Sequence, residues 1–318
     1  MTHPCTGWTD ARRMPGLARA AALLLAAAGC GPRADAEEVA AADSAAAGAG
    51  WACRITRPEV ALGTHVREAS GAALDRRTPG AFWTAGDSGN PPVLFGMGVN
   101  GELLGRVRVT GAANRDWEDM AVGPCPGGSC VYVADIGNNN ARDVDLVLYR
   151  APVPAVSDSA TRPADAFRAR FPGPGRDAEA LFVMPQGEIY LVTKGSARLP
   201  VELWRWPTPL SAGRVELERV RELAPRVQQL GDLVTGAGAS EDGRWVALRT
   251  YGRLAIYRAA DLLGTGGPAY TMDLAPLGES WGEGVAIDSD GTLLLVSEGR
   301  DRTTGSRAAW LQCALPQT

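Results

Sequence analysis

Residues 281–288 read WGEGVAID, and residues 291–298 read GTLLLVSE. Each run has the length and the apolar composition of one short β-strand, and a turn that contains Gly291 joins them. Weaker copies of this strand–turn–strand unit occur earlier in the chain, and in each copy the second run ends on a polar residue. A chain that repeats such a unit builds one sheet after another, so the repetition indicates the class of fold.

The copies align on five residues, which we call the ring positions: Ser70, Glu118, Glu179, Thr235 and Glu283. The intervals between them are 48, 61, 56 and 48 residues. A period of this size, made of short strands, is typical of a β-propeller. The segments before the first copy and after the last one together make about one more interval. We therefore predict an all-β fold with a single five-bladed propeller, closed by pairing of the N- and C-terminal strands. Six blades is the alternative, and an open β-sandwich is a further one.

The first 30 residues predict export. Several arginines precede an apolar run at 20–28, which is too short to span a bilayer, and small residues follow before Cys30. This order resembles the signal of bacterial lipoproteins, in which the cysteine becomes the acylated first residue of the mature chain. It predicts a signal peptide at 1–30 and a lipid anchor at Cys30. An ordinary signal peptide that is cut nearby is the alternative.

The domain organisation follows from composition. Residues 31–50 are small and polar, which predicts a flexible tether. Residues 51–318 then form the propeller domain. The lipid anchor places this domain in the cell envelope, on the periplasmic or outer-membrane side, with the anchor as its only membrane contact. The net charge is −4 and the chain has no basic run, so a nucleic-acid partner is not expected. We expect a monomer.

Four of the six cysteines fall in the propeller domain, and an even number in an oxidising compartment suggests pairs. Cys125 and Cys130 flank the tight turn between two strands of the second repeat, so a disulfide between them is easy to form. This leaves Cys53 with Cys313, at the two ends of the domain. A disulfide there would lock the ring where it closes and contribute about 5 kcal/mol, because it closes a very long loop.

The ring positions predict a cation site. The innermost strand of each blade lines a central channel, so the ring positions should meet near one end of it. Glu118, Glu179 and Glu283 would repel one another there unless a cation lies between them. Oxygen ligands without histidine or cysteine favour Ca²⁺ before Mg²⁺. The alternative is that Lys194 and Arg249 neutralise these acids.

Further polar residues precede the ring positions by two, or end the second strands, and should surround the same opening. The predicted ligand-binding residues among them are Asp87, Asp116, Asp135, Asp177, Lys194 and Glu298.

The motif at 283–298, EGVAIDSDGTLLLVSE, resembles the last motif of the SdiA-regulated family of bacterial envelope propellers. The earlier repeats resemble the D-x-E-G units of that family, although Asp119 and Met120 replace the usual pair of small apolar residues. The resemblance covers roughly residues 65–300 and implies a propeller in the cell envelope. A more distant likeness to the esterase-like phytase propellers implies metal-dependent phosphoester chemistry.

Two functions remain open at this point. The first is an envelope-anchored propeller that binds a small ligand or a protein partner and holds a cation on its axis, without catalysis. The second is a metal-dependent hydrolase of phosphoesters or lactones, in which Lys194 stabilises developing negative charge and a carboxylate acts as the base.

Overall fold

Each repeat of the sequence contributes the two inner strands of one antiparallel sheet. The computed structural model describes residues 52–300 and 304–316, so the predicted signal peptide (1–30), the tether (31–50) and Cys30 lie outside the described residues. The strands in chain order are β1 (Cys53–Ala61), β2 (Ala69–Asp75), β3 (Ala81–Gly86), β4 (Val93–Gly98), β5 (Leu103–Arg108), β6 (Trp117–Cys125), β7 (Gly128–Asp135), β8 (Leu146–Pro152), β9 (Asp165–Arg170), β10 (Ala178–Val183), β11 (Ile189–Thr193), β12 (Val201–Trp206), β13 (Arg214–Glu216), β14 (Glu218–Ala224), β15 (Val234–Ala239), β16 (Trp245–Thr250), β17 (Arg253–Arg258), β18 (Tyr270–Asp273), β19 (Trp281–Ile287), β20 (Thr292–Glu298) and β21 (Arg307–Cys313). One short helix, α1 (Ala259–Leu263), follows β17.

The sheets are the five blades of a propeller, as predicted. Blade 1 is β2–β5, blade 2 is β6–β9 with β13 added in parallel at its outer edge, and blade 3 is β10, β11, β12 and β14. Blade 4 is β15–β18, and blade 5 is β19, β20, β21 and β1. The inner strands β2, β6, β10, β15 and β19 each contact the next one around the ring, and β19 contacts β2. The ring is therefore closed.

The closure of the ring is also as predicted. The N-terminal strand β1 pairs antiparallel with β21 and is the outermost strand of blade 5. Cys53 lies opposite Cys313 in this pair, and a disulfide joins them. The second predicted disulfide, Cys125–Cys130, is also present. Both bonds therefore hold strand ends, one at the edge of the last blade and one at the hairpin of blade 2.

The core lies between neighbouring blades. Trp83, Trp117, Trp206 and Trp245 are almost completely buried. One core cluster joins side chains of blades 2 and 3, and Phe171 meets Trp204 there edge to face at 5.1 Å. Stacking of sheets around an axis gives each sheet two covered faces, which a single repeat does not have.

A β-bulge interrupts each inner strand at its ring position. In blades 2, 3 and 4 the unpaired residues are Glu118, Glu179 and Thr235. In blade 1 the unpaired residue is Gly71, next to Ser70, and in blade 5 the register shifts between Gly282 and Val285. A bulge turns a side chain away from strict alternation. The ring positions therefore point in directions that alternation along the strand does not predict.

Candidate functional site

The ring positions lie at one end of the central channel, which we call the mouth. The loops that join the second and third strands of the blades lie at this end, and the turns between the first and second strands lie at the other. Besides Asp135, eight carboxyl groups lie here that act on one another through their charges: Glu68, Asp87, Asp116, Glu118, Asp177, Glu179, Glu283 and Glu298. Lys194 lies among them and is the only lysine of the sequence. The mouth is therefore strongly acidic.

Equivalent backbone hydrogen bonds fix the positions of Asp87 in blade 1 and Lys194 in blade 3. Asp87 N–H donates to Glu68 O at 2.9 Å, and Lys194 N–H donates to Asp177 O at 2.9 Å. In blade 2 the equivalent donor is Ile136, whose N–H lies 3.2 Å from the carbonyl of Asp116. The position that carries Asp87 in blade 1 and Lys194 in blade 3 is thus apolar in blade 2.

Asp135, which precedes Ile136 and ends β7, is buried and holds the loop that contains Arg115 and Asp116. Its carboxylate accepts a hydrogen bond from Asp116 N–H at 3.0 Å and lies 3.5 Å from the guanidinium of Arg115. Burial raises the pKa of Asp135, and the charge of Arg115 opposes this. Asp135 is one of the predicted ligand-binding residues, but its carboxylate already contacts Arg115 and Asp116 in the neighbouring loop.

Three carboxylates form the tightest group at the mouth. Oxygens of Asp87, Asp116 and Glu118 all lie within 4.8 Å of one another. Gly137 makes room for two of them: a Cβ there would lie 2.0 Å from Glu118 Oε1 and 2.4 Å from Asp116 Oδ2. Glu118 is only 7% exposed, and no hydrogen-bond donor of the described residues contacts its carboxylate. A buried carboxylate of this kind is costly unless a cation or a proton joins it.

Burial is the main cause of the raised pKa values in this group. Burial, together with the charges of Asp87 and Asp177, raises the pKa of Asp116 to about 6. Burial also raises the pKa of Glu118 well above its usual range, with Glu179 as the next cause. Burial raises the pKa of Asp87 as well. Negative charge on these three carboxyl groups is therefore disfavoured unless a proton or a cation compensates it.

Glu179 is engaged differently. Its Oε1 accepts a hydrogen bond from Lys194 Nζ at 2.9 Å, and the carboxylate is 2% exposed. The same ammonium group lies 5.9 Å from the ring centroid of Tyr251. Burial lowers the pKa of Lys194, but the groups around the ammonium, Glu179 first among them, together outweigh burial and raise the pKa of the lysine. Lys194 therefore neutralises Glu179. This agrees, for this one acid, with the alternative that Lys194 and Arg249 neutralise the ring carboxylates.

Glu283 and Glu298 form a second acidic group, on blade 5. Burial raises the pKa of Glu283 to about 8, with Glu298 as the next cause, and raises the pKa of Glu298 to about 7. Glu283 is 7% exposed. Arg249 is completely buried nearby, but its guanidinium pairs with Glu279 at 2.6 Å. No ion pair to Glu283 or Glu298 is formed within residues 52–300 and 304–316.

The three residues that the sequence suggested as metal ligands are thus all at the mouth, but in three different surroundings. Glu118 belongs to the group with Asp87 and Asp116, Glu179 is paired with Lys194, and Glu283 faces Glu298. Part of the difference lies in the residue that follows the second strand, which is Ile136 in blade 2 and Lys194 in blade 3. The best grouping for one cation is Asp87, Asp116 and Glu118.

The hydroxyl ring positions connect blades. Ser70 donates a hydrogen bond to the carbonyl of Glu118 at 2.5 Å, and Thr235 donates to the carbonyl of Gly282 at 2.7 Å. Each hydroxyl thus reaches from one inner strand to the next. These two residues stabilise the ring beside the acids.

Asp119 is a residue that the sequence reasoning missed. It is 2% exposed and lies inside the channel, where its carboxylate accepts backbone hydrogen bonds from Met120, Leu181 and Ala237 at 2.8, 2.8 and 3.1 Å. A further backbone bond comes from Ala72. Burial raises the pKa of Asp119, and these four N–H groups counteract it. The available signal was the departure at Asp119 and Met120 from the small apolar pair of the repeat.

An aromatic pair borders the acidic group of blade 5. Trp281 is 41% exposed and meets Tyr251 edge to face, with ring centroids 5.4 Å apart. Trp281 also lies opposite Glu298 in the β19–β20 pair. Directly opposite residues of an antiparallel pair have Cβ atoms about 5 Å apart on the same face. The side chains of Trp281 and Glu298 therefore leave the sheet next to each other.

Comparison with known proteins adds support for the fold. No family model and no curated protein matches the sequence. Among solved structures, the chain is similar to the PQQ-bound form of an aldose sugar dehydrogenase from Streptomyces coelicolor, with a TM-score of 0.50 and 14% identity. The match covers 83% of this chain and 98% of that one. At this identity the likeness shows a β-propeller and nothing finer.

Within the described residues, no helix is long and apolar enough to cross a membrane. The fold and the site together define a five-bladed β-propeller with an acidic mouth.

Proposed function

We propose that this protein is a binding propeller of the bacterial cell envelope, which holds a divalent cation at its mouth and binds a small ligand or a protein partner there. The observation that carries the proposal is the group of Asp87, Asp116 and Glu118, whose carboxylate oxygens lie within 4.8 Å of one another. A lipid on Cys30 would anchor the protein, and residues 31–50 would let the propeller stand away from the membrane.

The donor chemistry selects the ion. The group offers only carboxylate oxygens, and the described part of the mouth brings no histidine or cysteine to it. Hard cations prefer such oxygens, and Ca²⁺ accepts irregular geometry more readily than Mg²⁺. The lack of a side chain at Gly137 leaves the space in which carboxylate oxygens of Asp116 and Glu118 lie. We therefore propose Ca²⁺ as the bound ion.

The cofactor of the structural neighbour does not fit the described residues. PQQ carries three carboxylates, so a site for it needs positive charge. The mouth of this chain has eight carboxyl groups and a lysine that is already paired with Glu179. Like charges in a buried site repel strongly. We do not extend the dehydrogenase activity of that protein to this chain.

The test is the thermal stability of the purified protein with and without calcium. A ligand that binds only the folded state stabilises it by mass action. We expect calcium to raise the Tm of the wild type, and we expect the isosteric variants Glu118→Gln and Asp116→Asn to lose this response. Asp165→Asn is the matched control, because Asp165 is an exposed carboxylate on the outer strand β9. A wild-type Tm that calcium leaves unchanged contradicts the proposal.

A metal-dependent hydrolase is the second candidate. The observation that favours it is the carboxyl of Glu298, whose pKa burial raises to about 7, where a group can act as general acid or base at neutral pH. Lys194 would then stabilise negative charge that develops on a phosphoester or a lactone. Chromogenic phosphoesters and lactones separate the candidates: turnover that EDTA abolishes supports the hydrolase, and its absence across the panel supports the binding propeller.

A further inference from the structure

The blade 5 side of the mouth has the composition of a site for an organic cation. We call it the aromatic subsite and define it by Trp281, Tyr251, Glu283 and Glu298. Two carboxylates and two aromatic rings meet there, and the structure brings no lysine or arginine of the described residues into ion-pair distance of either carboxylate. Glu283 is 7% exposed, and no hydrogen-bond donor of residues 52–300 and 304–316 contacts its carboxylate.

The chain already contains one example of the same recognition chemistry. The ammonium of Lys194 lies 5.9 Å from the ring centroid of Tyr251 and 2.9 Å from Glu179. An ammonium between an aromatic face and a carboxylate gains from both contacts. In the aromatic subsite the charge of Lys194 acts on both carboxylates, but its ion pair is with Glu179. The subsite therefore offers an aromatic face and two carboxylates to a further ammonium group.

The exposure of Trp281 supports an external ligand. It is one of three exposed large apolar side chains among the described residues, with Leu104 and Leu230 as the others. The pairing of Trp281 with Glu298 places these two side chains next to each other on one face of the β19–β20 pair. Trp gives the strongest cation–π contacts of the aromatic side chains. A neutral ligand that contains a ring would stack on the indole, but it would form no ion pair with the two carboxylates.

We propose that the aromatic subsite binds a small organic ammonium compound, whose charged group lies between the indole of Trp281 and the carboxylates of Glu283 and Glu298. The inference rests on the proposed function as a binding propeller and names the class of ligand. It uses carboxylates other than those of Asp87, Asp116 and Glu118. The calcium site and the ammonium site can therefore fail separately.

The test is titration calorimetry of the purified full chain with choline, in saturating calcium and at 150 mM salt. The neutral isostere 3,3-dimethylbutan-1-ol and methyl β-glucoside are the comparison ligands. We expect saturable binding of choline and at least about tenfold weaker binding of the isostere, since the charge contributes on the order of 1–2 kcal/mol at such a site. Equal binding of choline and its isostere overturns the proposal, as does binding of the glucoside alone.

The variants locate the site. We expect Trp281→Leu, which keeps an apolar side chain but removes the aromatic face, and Glu298→Gln to weaken choline binding about tenfold each. Leu104→Ala is the control, because Leu104 is similarly exposed on the outer strand β5. Circular dichroism checks that each variant is folded. Choline binding that is unchanged in both Trp281→Leu and Glu298→Gln refutes the assignment.

The calcium response of the wild type separates the two proposals. Calcium stabilisation without choline binding refutes the ammonium subsite alone. Choline binding without calcium stabilisation refutes the cation site alone and leaves the subsite supported.

Discussion

The carboxylate of Asp119 accepts a hydrogen bond from the backbone N–H of Ala237, which lies 118 residues later in the chain, at 3.1 Å. The same oxygen accepts a bond from Leu181 at 2.8 Å. One side chain of blade 2 therefore binds the inner strands of blades 3 and 4, and through Ala72 also that of blade 1. Asp119 therefore holds these strands together from inside the channel, in addition to the hydroxyls of Ser70 and Thr235, which each join two neighbouring inner strands.

Replacing Asp119 should destabilise the propeller strongly. Asp119→Ala leaves four backbone N–H groups without their acceptor, and each unsatisfied buried group costs on the order of 1–3 kcal/mol. We expect a loss of at least about 3 kcal/mol in the free energy of unfolding, with a smaller loss for Asp119→Asn, which keeps one oxygen. Urea unfolding measures both. Asp165→Asn, at the exposed pair with Arg150, should change the free energy by less than about 1 kcal/mol. A loss no larger than that control contradicts the role of Asp119.

The sequence was sufficient for the architecture because the repeat and the closure depend on local patterns. Two strands and a turn recur within each interval, and the cysteines at 53 and 313 mark the ends of the ring. The residues of the mouth were also predictable as a set, since equivalent positions in equivalent blades meet at the axis. Glu118, Glu179 and Glu283 do share one opening.

The partners within that opening were not predictable, because they depend on bulges and on contacts between distant segments. Alternation along a strand does not hold at a bulge, so the sequence suggested one trio and the geometry groups Glu118 with Asp87 and Asp116. Asp119 has partners 62 and 118 residues away, which no local pattern specifies. Trp281 stood in the most informative motif of the chain, but only the structure shows its exposure.

The acidic mouth should make the stability of the calcium-free protein fall as the pH rises. The pKa values of Asp116, Glu298 and Glu283 are raised to about 6, 7 and 8, above the ordinary carboxyl values of about 4. Between those values the folded protein binds more protons than the unfolded chain, so release of protons favours unfolding. This stabilisation is complete below about pH 4 and is lost as the pH rises through the folded values.

We therefore expect a lower Tm at pH 8.5 than at pH 5.5 in EDTA, measured by thermal unfolding in matched ionic strength. Saturating calcium should reduce the difference, because the ion binds the ionised carboxylates. The double variant Glu283→Gln with Glu298→Gln should show a smaller fall than the wild type, since two of the groups no longer titrate. A Tm that rises over this range would show that the mouth is not the dominant titrating site.

Lys194 should be needed mainly to neutralise Glu179. Removal of one member of a buried ion pair leaves the other charge without a partner and costs about 3–5 kcal/mol. We expect Lys194→Met to lower the free energy of unfolding by about 3 kcal/mol, and the addition of Glu179→Gln to restore most of it. Urea unfolding of the single and double variants measures the coupling. Arg170→Met, at the exposed pair with Glu216, should cost less than about 1 kcal/mol. A double variant that is no more stable than Lys194→Met contradicts this pairing.

The two disulfides should differ in their effect on stability, because they close loops of very different length. Cys53 and Cys313 are 260 residues apart, whereas Cys125 and Cys130 are 5 apart. The loss of chain entropy in the unfolded state predicts about 5 kcal/mol for the long loop and about 2 kcal/mol for the short one.

We expect the double serine variant at 53 and 313 to have the lower free energy of unfolding, and its β1 amides to exchange hydrogen fastest, since β1 is held at the edge of blade 5 by pairing with β21 alone. The double serine variant at 125 and 130 is the matched control, with the same number of thiols removed. Urea unfolding and hydrogen exchange measure the two effects. Equal losses in the two variants would show that the 53–313 bond does not hold the ring closed, since a bond that closes the ring must restrict the ends of the whole chain.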